Sequence, residues 1–326
     1  MIARVADHCF WLGRYVERAE STARVLQVTG ALALDAELPG ERCWQPVVIV
    51  AGQESDFVAR YGRDALGDAA LVQRYMVTDE ENPVSLRRSV AAARENARSV
   101  REVVSLEVWQ VINELHVFFG SGEAEAAYAS DLDALYARVQ RATQLGLGLM
   151  RSTMLHDAPL DYVWLGVLLE RVSQTARLLD VEHHALLAEG APHPVLETAL
   201  WLSLLRACSG FEAFMKRNQG KVTGAGVAAF LVLERRFPRS VRYCVASARE
   251  RLEAICDGDD LPGKGALARV TALEGWLERL PPESLHGGRV HEALTHVVDE
   301  VHAVAGAVMN ELMGQGPPPG SSSQSQ

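Results

Sequence analysis

A sixteen-residue stretch near the N-terminus recurs in the middle of the chain, and this repeat constrains the possible folds more than any other feature. Residues 11–26 and 164–179 are identical at nine of their sixteen aligned positions, at an offset of 153 residues. The identical residues of the first copy are Trp11, Leu12, Gly13, Glu17, Arg18, Thr22, Ala23, Arg24 and Leu26. Since self-similarity at a fixed period marks a repeated structural unit, we predict two copies of one unit.

Two further matches follow in the same order along the chain. Segment 77–95 matches segment 232–250 at an offset of 155 residues, and residues 135–154 match residues 294–313 more faintly at an offset of 159. The offset drifts by only a few residues, which is typical of small insertions in loops. The matches therefore extend the predicted duplication over most of the chain.

The duplication predicts one pseudo-symmetric domain rather than two domains joined by a linker. We place this domain over residues 1–313, with repeats over 1–155 and 156–313. A chain of 326 residues is long enough to bury a substantial core. Beyond residue 313 the sequence consists of Gly, Pro, Ser and Gln, and we expect a disordered tail over 314–326.

Apolar residues recur at three- and four-residue spacing through Ala-, Leu-, Arg- and Glu-rich segments, which predicts helices. The predicted fold class is all-α, a pseudo-two-fold duplicated helical bundle. The β-branched run over residues 47–50 fits either a strand or the start of a buried helix. The predicted helices cover roughly residues 3–36, 44–62, 68–78, 84–118, 124–155, 159–188, 194–218, 225–236, 239–256, 265–280 and 287–313.

Charge and cysteine usage restrict the partners and the compartment. The net charge of −10 argues against binding to nucleic acid or to an anionic membrane surface, because phosphate groups require a basic face. The five cysteines are scattered without a Cys-x-x-Cys pair, which favours a reducing compartment. Early charged residues interrupt any signal peptide, and no apolar run is long enough to cross a bilayer. We expect a cytoplasmic protein.

The repeated motif supplies the candidate site residues. On a helix with about 100° per residue, Trp11 and Arg18 fall on one stripe, and Gly13 and Glu17 fall on a second stripe roughly opposite. Glycine inside a helix costs about 1 kcal/mol relative to alanine, so its recurrence predicts a close approach by another helix or a bound group. The candidates for an anion-binding site or an inter-repeat charge network are Glu17, Arg18, Arg24, Glu170, Arg171 and Arg177.

Three interpretations of this motif stay open. In the structural interpretation, which we favour, Glu17 and Glu170 pair with arginines across the pseudo-two-fold axis and hold the two halves in register. In the second, several arginines converge on a carboxylate or phosphate, because the planar guanidinium binds such anions through two parallel hydrogen bonds. The third is a solvated charged face. Further arginines that would bridge helices or line a pocket are Arg14, Arg87, Arg94, Arg242 and Arg249.

The histidines and acidic residues predict neither a metal site nor a cofactor. His291 and His296 lie five residues apart and would face different sides of a helix. Asp180 and His183 have the spacing of one helical face, but a di-iron bundle would need Glu-x-x-His and further inward glutamates. The sequence also contains no phosphate-binding loop, dinucleotide fingerprint or Gly-x-Ser-x-Gly motif. We therefore predict no cofactor and no metal.

The N-terminal motif resembles that of the bacterial alpha-E family, which is named for its helical content and its Glu-Arg motif. The residues that carry the resemblance are Ala3-Arg4-Val5-Ala6, followed by Phe10-Trp11-Leu12-Gly13-Arg14-Tyr15-Val16-Glu17-Arg18-Ala19-Glu20. The resemblance extends to about Met313 and includes the second motif. That second copy has Val167 where the first has Arg14, so only one half can use an arginine there.

The resemblance implies a setting more than a reaction. Alpha-E proteins look like companions of circularly permuted ATP-grasp proteins and of transglutaminase-like proteins. ATP-grasp proteins of that kind are similar to ligases that join carboxylates to amines. The resemblance thus implies a peptide synthesis or modification system, with an ATP-grasp-family protein as partner and a peptide or carboxylate as ligand.

Three hypotheses of function follow. The favoured one is a non-catalytic helical subunit, or substrate-handling partner, of such a ligase. The arginines that would hold its ligand are Arg18, Arg24, Arg171 and Arg177. The second is an enzyme with Glu17 or Glu170 as general acid or base on a carboxylate- or phosphate-bearing substrate, although converging arginines would lower the pKa of either glutamate and weaken it as a base. The third is a purely structural scaffold.

Overall fold

The computed structural model describes residues 2–35, 38–188, 194–256 and 262–314 of the chain. Over these ranges it contains fifteen α-helices and no strand, which confirms the predicted all-α class. Within the same ranges, no helix combines the length and the apolar character that a membrane span requires. The predicted tail beyond residue 314 lies outside the described residues.

The first eight helices run from the N-terminus to the middle of the chain. They are α1 (Ala3–Asp35), α2 (Gly40–Val50), α3 (Glu54–Tyr61), α4 (Ala69–Val77), α5 (Leu86–Ser99), α6 (Leu106–Gly120), α7 (Glu123–Ser130) and α8 (Leu132–Thr153). The β-branched run over residues 47–50 ends α2, so it is helical.

Seven helices complete the described chain. They are α9 (Ala158–Ala188), α10 (Pro194–Ala207), α11 (Phe211–Arg217), α12 (Gly224–Leu233), α13 (Val241–Ile255), α14 (Lys264–Arg279) and α15 (Arg289–Leu312). The second motif lies on α9, as the first lies on α1.

Four of the predicted helices are each divided in two, which corrects the sequence-based boundaries. The divided predictions are 44–62, 84–118, 124–155 and 194–218. Gly52 and Ser209 adopt positive φ angles of 70° and 52°, which end the preceding helices. Ser105 and Asp131 each cap the next helix, since their side chains accept a hydrogen bond from the backbone of Val108 and of Ala134. Such caps satisfy amides that have no partner within the helix.

Helices α1 and α9 pack against each other at the centre of the molecule. A Cβ atom added at Gly13 would lie 2.0 Å from the Val163 carbonyl oxygen, and one added at Gly166 would lie 2.1 Å from the Phe10 carbonyl oxygen. The two backbones therefore touch at two reciprocal points, which only glycine permits. This is the close helix approach that the repeated glycine predicts.

Each central helix belongs to a group of four helices. Helix α1 packs against α5 and α8, and α6 contacts both of these. Helix α9 packs against α13 and α15, and α14 contacts both of these. The same order of contacts in the two groups supports the predicted duplication, which stays a prediction. The α1–α9 interface lies between the two groups and holds the motif residues of both.

Candidate functional site

The first of two Glu-Arg clusters joins α1 to α9 around Glu170. Arg18 donates two hydrogen bonds to this carboxylate, from Nε to Oε1 at 2.7 Å and from Nη2 to Oε2 at 3.0 Å. Arg14, one turn earlier on α1, donates from Nε to Oε2 at 2.9 Å. Only 2% of Glu170 is exposed. We refer to Arg14, Arg18, Glu170 and the neighbouring Arg177 as the open centre.

The second cluster surrounds Glu17, which is completely buried. Arg171 on α9 donates from Nε to Oε1 of Glu17 at 2.9 Å and from Nη2 to Oε2 at 2.7 Å. Arg239, just before α13, donates from Nη1 to Glu17 at 2.8 Å and from Nη2 to Glu20 at 2.9 Å. Arg24 forms an ion pair with Glu20 on the same helix. We refer to these five residues as the closed centre.

The glutamate of each motif is thus bound by the arginine of the other motif. Glu17 of α1 accepts from Arg171 of α9, and Glu170 of α9 accepts from Arg18 of α1. This exchange is the cross-axis pairing that the structural interpretation requires. Because each pair is buried and doubly hydrogen-bonded, it fixes the register of α1 against α9.

The arginines keep both glutamates ionised. Burial on its own raises the pKa of Glu170, but Arg14 and Arg18 outweigh it and lower that pKa to about 2. Burial likewise raises the pKa of Glu17, and Arg171 with Arg239 lowers it to about 2. A carboxylate with so low a pKa accepts protons poorly at neutral pH. This electrostatic environment suits an anchor for arginines better than a general base.

A pocket lies beside Glu170 in the open centre, with an empty volume of about 710 Å³ including the part open to solvent. Arg14, Arg18 and Glu170 form its polar side, and Val47 and Val50 of α2 form part of an apolar wall. The remaining lining residues are Thr22, Val25, Ala51, Met76, Val84, Ser173, Gln174, Arg177 and His302. The pocket therefore combines concentrated guanidinium groups with an apolar surface.

One wall of the pocket holds a hydroxyl group without a partner. The side-chain oxygen of Ser173 is buried and makes no hydrogen bond within the described residues. Buried polar atoms are nearly always hydrogen-bonded in folded proteins. Because this oxygen has almost no accessible surface, a rotation of the Ser173 side chain would be needed to bring it to a bound molecule.

Arg177 and His302 lie together in the pocket lining. The Arg177 Nη2 is 3.2 Å from the His302 Nε2, and Arg177 makes no ion pair with any acidic residue in the described part of the chain. Burial of part of each side chain lowers the pKa of both groups, and the neighbouring Arg14 lowers both further. An unprotonated His302 Nε2 would accept a hydrogen bond from Arg177. The Glu170 carboxylate raises the pKa of Arg177 and opposes the effect of burial, although the two side chains form no ion pair within the described residues.

The two centres differ at two aligned positions. Val84 aligns with Arg239 at the offset of 155, and Ser173 aligns with Glu20 at the offset of 153. In the closed centre, the Arg239 guanidinium occupies the space beside Glu17 and pairs with Glu20. The shorter Val84 and Ser173 leave the corresponding space beside Glu170 to the pocket.

The backbone of the segment before α13 also contacts the closed centre. Arg171 Nη1 donates to the Pro238 carbonyl oxygen at 3.2 Å, and Thr175 Oγ1 donates to the Arg239 carbonyl oxygen at 3.1 Å. Arg18 aligns with Arg171, yet its Nη1 makes no hydrogen bond to the residues that the structure describes. Arg18 therefore keeps its Nη1 donor for a ligand, whereas the corresponding donor of Arg171 binds the Pro238 carbonyl oxygen.

Four of the secondary arginine candidates do not line the pocket beside Glu170, and only Arg14 does. The other four bridge neighbouring elements at the periphery of their own half. Their partners are Glu80 and Glu125 for Arg87, Glu95 and Asn113 for Arg94, Glu278 for Arg242, and Glu253 and Glu274 for Arg249. The structure places Arg24 in the closed centre and Arg177 in the open one, so the six primary candidates divide between the centres.

Sequence analysis missed the residues that make the centres different. Arg239, Glu20 and Ser173 were not candidates, because these positions differ between the two copies. The missed signal lies in the positions that differ within otherwise matched blocks. His302 was also missed, since it lies far along the chain in the faintest of the three matches.

The fold and the site together define a class: a helical protein in which two Glu-Arg motifs pair across the contact of two central helices. The chain belongs to the alpha-E family, whose model matches residues 1–311 and is described as a predicted alpha-helical domain with a conserved ER motif. The two Glu-Arg pairs of the sequence, Glu17-Arg18 and Glu170-Arg171, supply the reciprocal hydrogen bonds of the two centres.

The chain is also similar to longer mycobacterial proteins. Relatives from Mycobacterium bovis and Mycobacterium tuberculosis, each described only as an uncharacterized protein, are 27% identical to it over 301 residues. The match covers 86% of this chain but only 33% of each relative, so the chain spans about a third of the length of these relatives. No solved structure matches the chain.

Proposed function

We propose that the open centre binds an anionic group, a carboxylate or a phosphate, of a substrate that this protein presents to an ATP-grasp-type carboxylate–amine ligase. The observation that carries the proposal is the difference between the two centres. In the closed centre Arg239 fills the space beside Glu17 and pairs with Glu17 and Glu20. The aligned residues of the open centre leave a pocket beside its arginines. In this proposal the closed centre is structural and the open centre is functional.

The charges of the two centres support an anionic ligand. The open centre contains three arginines and one glutamate, so it carries two excess positive charges. The closed centre contains three arginines and two glutamates, which leaves one. Guanidinium groups bind carboxylates and phosphates through charge-assisted, often bidentate hydrogen bonds. An anion in the pocket would take the place that Glu20 takes in the closed centre.

The position of the donors supports the same ligand. Arg18 is held in place by two hydrogen bonds to Glu170, so its remaining Nη1 donor is oriented before a ligand arrives. Within the described residues, Arg177 contacts the His302 ring nitrogen and forms no ion pair with a carboxylate. Ser173 lines the same pocket, and its buried hydroxyl makes no hydrogen bond within the described residues. Pre-ordered donors reduce the entropy cost of binding, and the apolar wall from α2 suits a ligand with a carbon chain.

Two observations favour a substrate-handling role over catalysis. Burial raises the pKa of Glu170, but Arg14 and Arg18 outweigh this effect and lower the pKa to about 2. Glu170 is therefore a poor general base. The Ser173 hydroxyl makes no hydrogen bond to a basic group within the described residues. The proposed reaction therefore belongs to the partner ligase, and this protein holds the anionic part of the substrate.

The proposed partner is an ATP-grasp-family protein, on the strength of the family resemblance. The mycobacterial relatives support an association with further protein, because two thirds of their length lies outside the match to this chain. Purification of the protein from its native source, with mass spectrometry of the co-eluting chains, tests the partnership. Co-elution of an ATP-grasp-family protein is the expected result, and recovery of the protein alone would contradict the partnership.

Calorimetric titration with inorganic phosphate, sulfate and succinate tests the anion site itself. We expect saturable binding of at least one of these anions to the full chain, and at least tenfold weaker binding to Arg177→Gln. This substitution leaves the hydrogen bonds of Glu170 in place. Arg249→Gln, which removes an arginine outside the pocket, is the matched control and should bind like the unmodified protein. Absence of binding, or equal losses in both variants, would refute the anion site.

A further inference from the structure

Three potential metal ligands meet where the C-terminal part of α9 packs against the first turn of α15. Asp180 and His184 lie one turn apart on α9, and His291 lies on α15. The His291 Nδ1 is 2.9 Å from Oδ1 and 3.1 Å from Oδ2 of Asp180. The His184 Nε2 is 3.8 Å from Oδ1 of Asp180. One ligand atom of each residue lies within 4.8 Å of the other two.

These separations suit a single metal ion. Zinc binds imidazole nitrogen and carboxylate oxygen at about 2.0–2.2 Å, so the ligands of a tetrahedral site lie roughly 3.3–3.6 Å apart. The distance from Asp180 Oδ1 to His291 Nδ1, 2.9 Å, is shorter than that range, and the distance from Asp180 Oδ1 to His184 Nε2, 3.8 Å, is longer. Small side-chain rotations would therefore bring all three ligand atoms onto one ion, with a fourth position left for water or another ligand.

A simple hydrogen bond explains only part of the arrangement. It accounts for His291 and Asp180, but His184 also comes close, with its ring centroid 4.4 Å from that of His291. If both rings were protonated, they would repel each other at this distance. A divalent cation between them requires both imidazoles to be neutral and places its own charge beside the Asp180 carboxylate.

The ligands are accessible to an ion from solvent. The side chains of His184 and His291 are 53% and 49% exposed, while that of Asp180 is 23% exposed. Their positions on two packed helices, rather than in a loop, fix their spacing. The sequence pattern did not predict this grouping, because it paired Asp180 with His183, whereas the structure brings Asp180 together with His184 and the distant His291.

We propose that Asp180, His184 and His291 bind one divalent transition-metal ion, with Zn²⁺ the best match to two imidazoles and one carboxylate. Asp180 follows Arg177 by three residues on α9, a rise of about 4.5 Å along the helix axis. His291, however, precedes His302 by eleven residues on α15, a rise of about 16 Å. The ion would therefore lie farther along the two helices than the contact between Arg177 and His302, outside the proposed anion pocket. The metal site itself does not depend on anion binding.

Calorimetric titration of the metal-free full chain with Zn²⁺, without an affinity tag, tests the site. We expect one Zn²⁺ per chain, and at least tenfold weaker binding to His291→Ala and to Asp180→Asn. Titration with Co²⁺ should produce visible absorption bands from imidazole and carboxylate coordination, and these bands should disappear in His291→Ala. His156→Ala, which removes an exposed histidine elsewhere, is the matched control.

The same measurements separate a metal site from a structural cluster. Unchanged melting temperatures of the variants in the presence of EDTA would show that each is folded, and Asp180→Asn preserves the shape of the side chain if His291→Ala does not fold. Zn²⁺ binding that is absent, or equally strong in His291→Ala and the unmodified protein, would overturn the proposal. Phosphate or sulfate binding without Zn²⁺ binding would overturn the metal site while leaving the anion pocket intact.

Discussion

Arg18 on α1 donates two hydrogen bonds to Glu170 on α9, and these two residues lie 152 positions apart in the sequence. The reciprocal pair, Arg171 with Glu17, has the same bidentate form. What distinguishes the two pairs is their surroundings, because Arg239 completes one of them and a pocket lies beside the other. The predictions below test this difference and the contacts that support it.

Glu17→Gln is expected to destabilise the protein strongly. The substitution leaves the Arg171 and Arg239 charges buried without their central carboxylate, and breaking a buried ion pair in this way costs about 3–5 kcal/mol. Urea unfolding measures the change in the free energy of unfolding. Glu253→Gln, which removes an exposed partner of Arg249, is the control and should cost at most about 1 kcal/mol. Equal losses would show that the closed centre has no structural role.

The double substitution Val84→Arg and Ser173→Glu is expected to close the open centre. It introduces the two residues that complete the closed centre at aligned positions, so the new guanidinium should pair with Glu170 and the new carboxylate. Anion titration should show at least tenfold weaker binding, without a loss of unfolding free energy. Val84→Ile alone adds no charge and leaves Ser173 in place, so it serves as the control. Undiminished anion binding in the charged variant would contradict the assignment of the pocket.

Gly13→Ala is expected to destabilise the contact between α1 and α9. The added methyl group would lie 2.0 Å from the Val163 carbonyl oxygen, so the helices must separate, at a cost of about 1–3 kcal/mol or more. Gly30→Ala on the same helix meets no atom within 4 Å and should gain up to about 1 kcal/mol from helix propensity. Thermal unfolding of the two variants measures the opposite shifts, and a shift of the same sign in both would disprove the close contact.

Acid is expected to destabilise the protein through Glu17 and Glu170. Each has a folded-state pKa lowered from 4.5 to about 2, so the unfolded chain binds more protons between these values. The stabilisation is complete above pH 4.5 and is lost as the pH falls towards 2, with a slope of up to about 1.4 kcal/mol per pH unit for each group. Denaturant unfolding between pH 7 and pH 2.5 should show a shallower loss for Glu170→Gln. An identical slope would contradict the lowered pKa.

The sequence was most informative about features that belong to one helix. Apolar periodicity and composition identified the helical class, and the glycine shared by the motifs predicted the close approach seen at Gly13 and Gly166. Helix ends were predicted less well. Short caps such as Ser105 and Asp131 divide segments whose periodicity continues on both sides, so the pattern alone joined them.

By itself, the sequence determined which residues repeat, and it identified the glutamates and arginines that meet between α1 and α9. Only the tertiary structure decided that one centre is closed and the other is open. The deciding contact joins Arg239 to Glu17, which lie 222 residues apart, and helix periodicity carries no information about such a pair. A side chain delivered from another helix or loop can fill a site or leave it open, and its placement depends on how the whole chain packs.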